Sequence, residues 1–176
     1  VVISGIGGLG HIAVQYAVAM GMRVVAVDVA DDKLELAKKC GADLTLNPSK
    51  VDIYEEIRGL TGGYGADVYI ECTGHPSAVP QGLNLLRKLG RFVEYSVFKE
   101  NVSVDWSIIS DDKELDVRGA HLGPHTWQAA IKMIESGKLP LDRICTDQFP
   151  LEKYQDALDL VGDSGGASVK VSIVHG

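Results

Sequence analysis

Val1-Val2-Ile3-Ser4-Gly5-Ile6-Gly7-Gly8-Leu9-Gly10 opens the chain, and its reading decides the fold. A short β-branched run gives way to glycines spaced G-x-G-x-x-G. From Gly10 to Met20 the residues are then Ala-rich and apolar on most sides, as in a helix lying on a sheet. Strand, glycine turn and helix in that order make a cradle for a dinucleotide pyrophosphate. Gly5 permits the tight turn off the strand, Gly7 leaves room for the pyrophosphate to touch the backbone, and Gly10 lets helix and strand pack closely. Gly8 and Leu9 complete the loop, and the helix N-terminus adds unpaired N–H groups and a partial positive charge.

Arg23 to Asp28 reads as the next strand, and Asp28 closes it near the interval of about 20 residues expected of a ribose-binding acid. A carboxylate there accepts hydrogen bonds from the adenosine ribose hydroxyls and repels a 2′-phosphate. The expected cofactor is therefore NAD rather than NADP. The competing reading of Asp28 is an exposed strand-end acid with no ligand. A methyltransferase also uses a glycine turn on this fold, but that class places an acid just before its first glycine, where this chain has Ser4.

Outward from this unit, strand-like and helix-like segments alternate. Asp32 to Cys40 reads as a helix with Asp32 and Glu35 spaced as a capping box and Gly41 as its stop. Leu44 to Leu46 is a short strand, Val51 to Leu60 an amphipathic helix and Ala66 to Glu71 a strand. A helix over about Ser77 to Leu89 and a strand at Arg91 to Tyr95 follow. A longer connection leads to a strand at Leu115 to Ala120 and a helix from Thr126 to Glu135, and a strand, a helix (about Leu151 to Val161) and a strand at Val169 to Val174 end the chain. This alternation predicts an α/β, doubly wound parallel sheet of about six strands with a C-terminal α/β tail.

Composition narrows the function. With 17 basic against 24 acidic residues the net charge is −7, which disfavours binding to nucleic acid. No apolar run approaches the ~20 residues of a membrane-spanning helix. Cys40, Cys72 and Cys145 are spaced neither as a zinc knuckle nor as a redox pair, which fits a reducing, cytoplasmic setting. His121 and His125 are four apart, but Gly123 and Pro124 between them argue against the regular helix that a zinc pair needs. His75, after Gly74 at a strand end, either faces the cofactor or is a plain loop residue. The chain opens directly in an apolar strand with no initiator Met, and is expected to be a piece of a longer protein.

Several stretches in their order resemble the cofactor domain of the zinc-dependent medium-chain alcohol dehydrogenases. They are Gly5 to Gly10, Ala13-Val14-Gln15-Tyr16-Ala17, Ala26-Val27-Asp28 through Lys33, and Ala37 to Asp43. Glu71-Cys72-Thr73-Gly74, Gly90-Arg91-Phe92-Val93 and Val117 to Gly123 are similar to the same family, especially its polyol branch. The resemblance implies that Leu9 backs the nicotinamide ring, Lys33 sits beside the adenosine ribose, and Thr73 and Gly74 line the crevice beneath the cofactor. It further implies that Tyr95 and Val97 flank the nicotinamide ribose and amide, that backbone groups of Ala120 and Leu122 hold the carboxamide, and that Lys170 lies near the pyrophosphate. On pattern, Leu9, Val97 and Leu122 read equally well as core, and Lys33 and Lys170 as solvated charges.

In that family the catalytic zinc and the proton relay come from an N-terminal β-rich domain, for which this sequence has no counterpart. The resemblance thus implies no catalytic and no metal-ligating residue in this chain. It implies a NAD-binding domain over 1–140 and a tail over 141–176 that in the family completes the catalytic domain. It predicts an NAD(H)-binding portion of an enzyme that oxidises a small alcohol or polyol, inactive by itself and dimeric through the Leu115–Ala120 edge strand. Two alternatives are a zinc-independent relative of the quinone-reductase type and a stand-alone NAD-binding module.

Overall fold

The first strand, β1 (Val2–Ser4), is fully buried and lies in the middle of a parallel sheet, as its β-branched residues demand. The structure is a computed structural model and describes residues 1–139, 144–162 and 168–175. From β1 the chain winds through α1 (Gly8–Ala19), β2 (Val25–Val27), α2 (Asp31–Lys39), β3 (Leu44–Leu46) and α3 (Ile53–Leu60). It returns to the other side of β1 as β4 (Ala66–Glu71), α4 (Ala78–Leu85), β5 (Leu86–Glu94) and β6 (Asp116–Gly119). The strand order β3-β2-β1-β4-β5-β6, parallel throughout, is that of a dinucleotide-binding fold, with the switch point between β1 and β4.

Alternate residues of the strands feed two cores. Ile3 and Ala26 meet Val14 and Ala17 of α1 and Leu34 and Ala37 of α2 on one face. Val2, Val25, Tyr69 and Phe92 meet Ile57 of α3 and Leu83 of α4 on the other, with the Tyr69 and Phe92 rings stacked at 5.5 Å. Both faces of the sheet are covered, which is why the strands read as continuous apolar runs rather than alternating ones.

Two local expectations need correction. Asp32 and Glu35 form no capping box: α2 starts one residue earlier, its N-cap is Ala30, and no side chain caps it. Asp31 instead accepts from the Asn47 Nδ2 at 2.9 Å and pairs with Lys50, anchoring the helix start to the loop after β3. The helix expected over Ser77 to Leu89 ends at Leu85, and β5 begins at once, Leu86 pairing with Ala66. The Lys113 ammonium donates to the carbonyls of Leu83, Asn84 and Leu86 at 2.7 to 2.8 Å, taking helix-end acceptors that a longer helix would use. Between the pairs Ala66–Leu86 and Val68–Arg91 the strand bulges, with Leu89 at a positive φ of 58°.

After β6, the helix α5 (Trp127–Glu135) buries none of its residues. β7 (Asp147–Pro150) and β8 (Val171–Val174) form a separate parallel pair, linked through α6 (Tyr154–Gly162). The tail boundary expected at Leu141 lies outside the described residues. Among the described residues, no helix is long and apolar enough to cross a membrane.

Candidate cofactor site

The glycine loop is shaped by contacts that no side chain could share. Gly5 has φ +88°, and a Cβ on it would lie 2.8 Å from the backbone of Cys72; one on Gly10 would lie 1.8 Å from the Gly5 carbonyl oxygen. Gly7, by contrast, faces open space, with nothing within 4 Å of where its Cβ would stand. Two glycines thus close the turn and the third leaves its outer surface bare. Gly7 is the N-cap of α1 and makes no side-chain cap, so the first-turn amides of the helix point outward without intrahelical partners.

Asp28 stands just past the end of β2 and faces the same loop. One carboxylate oxygen accepts from the Ile6 N–H at 2.6 Å and the other from the Ala30 N–H at 2.9 Å. An ionised carboxylate has about four acceptor positions, so two remain for a ligand. A cleft of about 440 Å³ runs between the ends of β2 and β4 and brings together Gly5, Gly7, Asp28, Lys33, Thr73 and His75. His75, for which the sequence favours a plain loop residue over a cofactor contact, is exposed, holds the Ser77 hydroxyl at 2.8 Å through Nδ1, and forms part of this wall.

A second cleft, about 720 Å³, lies between the loop and the C-terminal tail. Gly7, Gly8, Leu9 and Lys33 line one side, and Ile144, Cys145, Val169 and Lys170 the other. Lys33 from α2 and Lys170 from the entry to β8 thus line the same cleft as the bare loop. Tyr95 and Ala120 share a third cleft with Tyr16 and His121, about 710 Å³, between α1 and the end of β6. Leu9, Val97 and Leu122 are 48%, 87% and 76% exposed, which removes their reading as core residues. Val97, Gly74 and Leu122 line none of these three clefts. Gly74 (φ +68°) instead brings its Cα against the Val97 carbonyl, where a Cβ would lie 2.9 Å from the oxygen.

Sequence reasoning passed over the buried acid beneath these loops. Glu71, at the end of β4, is wholly buried and accepts from the Thr73 N–H at 2.7 Å, the Gly74 N–H at 3.2 Å, the Thr73 hydroxyl and the Ser96 hydroxyl. Glu94 is its register partner on β5 and accepts from the Ser96 N–H at 2.8 Å. The available signal was an acid ending each of two otherwise apolar inner strands, Val68-Tyr69-Ile70-Glu71 and Phe92-Val93-Glu94. His11, read only as opening α1, is fully buried with its Nε2 3.4 Å from the Cys40 sulfur, and burial holds the imidazole below its ordinary pKa.

These donors do not suit a catalytic zinc, which takes three protein ligands at close quarters. Burial, then the Glu71 and Glu94 carboxylates, push the Cys72 thiol up to about 12, Cys40 meets His11, and Cys145 is exposed elsewhere. The chain between His121 and His125 is not helical, with Leu122, Gly123 and His125 at positive φ. Among the described residues no three His, Cys, Asp or Glu side chains converge on a point.

Residues 8–136 match the family described as zinc-binding dehydrogenase. The erythritol/L-threitol dehydrogenase of Mycolicibacterium smegmatis is 68% identical over 176 residues, covering 99% of this chain and 48% of that protein. The chain spans about half the length of the curated relatives it matches. A short chain alcohol dehydrogenase from Escherichia coli CFT073, complexed with NADH, superimposes with a TM-score of 0.90 over 99% of this chain and 51% of that one, at 24% identity. A protein from Sinorhizobium meliloti 1021, provisionally assigned as a zinc-binding dehydrogenase and bound to NADP, gives 0.88 over 99% and 52%, at 29% identity.

Proposed function

The chain belongs to the zinc-binding dehydrogenase family, and from that premise we propose that it binds NAD(H) and forms the cofactor half of an enzyme that oxidises a small polyol. The observation that carries the cofactor choice is Asp28. Its carboxylate lies in the cleft beside the bare glycine loop, with two acceptor positions left for the ribose hydroxyls and a charge that repels a 2′-phosphate. The pyrophosphate would rest on Gly7, Gly8 and the first turn of α1, with Lys170 balancing its charge, and Lys33 would sit beside the adenosine ribose with Asp28. Thr73, Gly74, Tyr95, Val97, Ala120 and Leu122 would hold the nicotinamide half toward β4, β5 and β6, with Leu9 behind the ring. A bound nicotinamide would supply the hydride acceptor, and these residues would orient its ring.

The polyol assignment draws on the 68% identity to the erythritol/L-threitol enzyme, and a four-carbon sugar alcohol is the substrate class it favours. By itself the 176-residue chain is expected to bind cofactor without oxidising alcohol. It spans about half of its relatives' length, and among the described residues its donors do not converge on a zinc site. Fluorescence titration with NADH and NADPH tests the cofactor reading. NADH should bind more tightly, and a preference for NADPH overturns it. Erythritol-dependent NADH formation by the pure 176-residue chain would overturn the expectation of inactivity.

The proposed dimer uses β6, whose outer side pairs with no described strand and whose Val117 is 47% exposed. Two copies would join edge to edge into one continuous sheet. Val117→Pro removes a backbone donor at that edge, so sedimentation should report monomer; an unchanged dimer refutes the edge assignment.

A further inference from the structure

Glu71 and Glu94 leave neighbouring parallel strands as register partners, so both side chains emerge on the same face of the sheet, at its carboxyl edge. Glu71 ties the loop after β4 to the loop after β5: its carboxylate holds Thr73 and Gly74 from the first and Ser96 from the second. Glu94 grips the same Ser96 through its N–H. The two loops also touch directly, Gly74 against the Val97 carbonyl. They are the loops that the NAD(H) reading above places against the nicotinamide half, and the inference rests on that reading.

We propose that Glu94 and Glu71 are a positioning pair that latches the two crevice loops together while Glu94 is protonated. When Glu94 becomes anionic the latch loosens and cofactor is held more weakly. Two carboxylates on adjacent strands repel unless one carries a proton. The four donors converge on Glu71, which leaves Glu94 to carry it. Burial first, with the Glu71 charge adding to it, pushes the Glu94 carboxyl up to about 7 against the pull of the Ser96 N–H. Among the described residues, the other ionisable groups on the elements packed around the pair are engaged elsewhere or uncharged. Cys72 follows Glu71 with its thiol pushed up, and α4 carries no ionisable side chain. In the connection after β5, the Asp105 carboxylate is bound by Ser107 and the Lys113 ammonium by three carbonyls at the end of α4. On β6, Arg118 is the register partner of Val93, leaves by the opposite face and pairs with Asp116. His75, in the loop after β4, is exposed and bound to Ser77.

The test uses the chain with carbon-13-labelled glutamate, in wild type and in Glu94→Gln, which keeps the shape of the protonated acid without its titration. In the free chain the Glu94 carboxyl should titrate near neutrality, and the amide resonances of Gly74 and Val97 should follow it in wild type but not in the variant. NADH affinity, read by fluorescence, should fall about fivefold between about pH 6 and about pH 8.5 in wild type, an ordinary coupling between two groups. In Glu94→Gln it should stay at the low-pH value. A Glu94 carboxyl titrating in the usual carboxylate range, or a variant that keeps the wild-type pH profile, overturns the inference. Titration near neutrality that leaves the Gly74 and Val97 resonances unmoved overturns the latch. Absence of NADH binding at every pH would instead overturn the cofactor reading, and the affinity consequence with it, while the titration and the loop resonances still decide the pair.

Discussion

α1 and α5 are helices of similar length that the chain treats in opposite ways. α1 is apolar on most sides and buries Gly10, His11, Val14, Gln15 and Ala17 against the sheet. α5 separates its apolar from its polar residues more cleanly, yet buries nothing and leaves Trp127, Ile131 and Ile134 exposed. Amphipathic pattern therefore says that a helix has a face to bury, not that the same chain covers it. The difference follows from neighbours. α1 is tied by the glycine turn to the central strand, whereas α5 follows an edge strand beyond which the described chain places no further strand.

The largest effect that would sharpen this contrast belongs to the turn. Gly10→Ala puts a methyl group 1.8 Å from the Gly5 carbonyl oxygen, a backbone atom that cannot move aside without opening the turn. A loss of about 4 kcal/mol or more is expected, in the range reserved for broken core geometry. Denaturant unfolding measures it, and a cost under about 1 kcal/mol would mean that the helix and strand do not pack as described. Next comes Val14→Ala, which empties a fully buried site of α1. It should cost about 2 kcal/mol, a lost transfer term plus a small cavity.

The half of the molecule around α1 was legible because its constraints are local. Positive φ at Gly5, close approach at Gly10 and an acid at the end of the second strand each leave a mark at one position in the sequence. The α4–β5 boundary was not legible, since Leu85-Leu86-Arg87-Lys88-Leu89 suits a helix as well as a strand. Lys113 settles it from 27 to 30 residues away, helped by the Arg87–Asp67 pair at 2.6 Å. Glu71 and Glu94 were missed for a related reason. Each looks like an ordinary strand end, and only the register of β4 against β5 makes them a pair. Asp28 reads from the sequence as a ribose acceptor, a proposal still, whereas its hold on the turn through the Ile6 N–H is visible only in the structure.

That double duty gives the next prediction. Asp28→Ala removes both the proposed ribose contact and the acceptor for the Ile6 N–H. NADH affinity should fall about tenfold, ~1.4 kcal/mol, with a smaller loss for NADPH, so the ratio of the two narrows. Equal losses for both cofactors would assign Asp28 to the turn alone. Glu94 gives a stability effect with a definite sign. Its carboxyl in the folded chain is raised from 4.5 to about 7, so its contribution is fully present below about 4.5 and is lost as pH rises through about 7. Unfolding followed across that window should show declining stability in wild type and a flatter profile in Glu94→Gln. A parallel decline in both would place the titrating group elsewhere.

The smallest effect is expected on α5 and bears most directly on the comparison. Ile131 is 44% exposed on a helix with no buried residue, so Ile131→Ala removes apolar atoms that already lie partly in water. The lost transfer energy is correspondingly small, and alanine's better helix propensity offsets part of it. The net change in the stability of the chain should stay within about 0.5 kcal/mol, against about 2 kcal/mol at Val14. Both substitutions trim a β-branched side chain to the same methyl group, so the gap between them isolates burial from chemistry. A cost at Ile131 approaching that at Val14 would mean that α5 packs on the sheet in solution, and the distinction between the two helices would disappear.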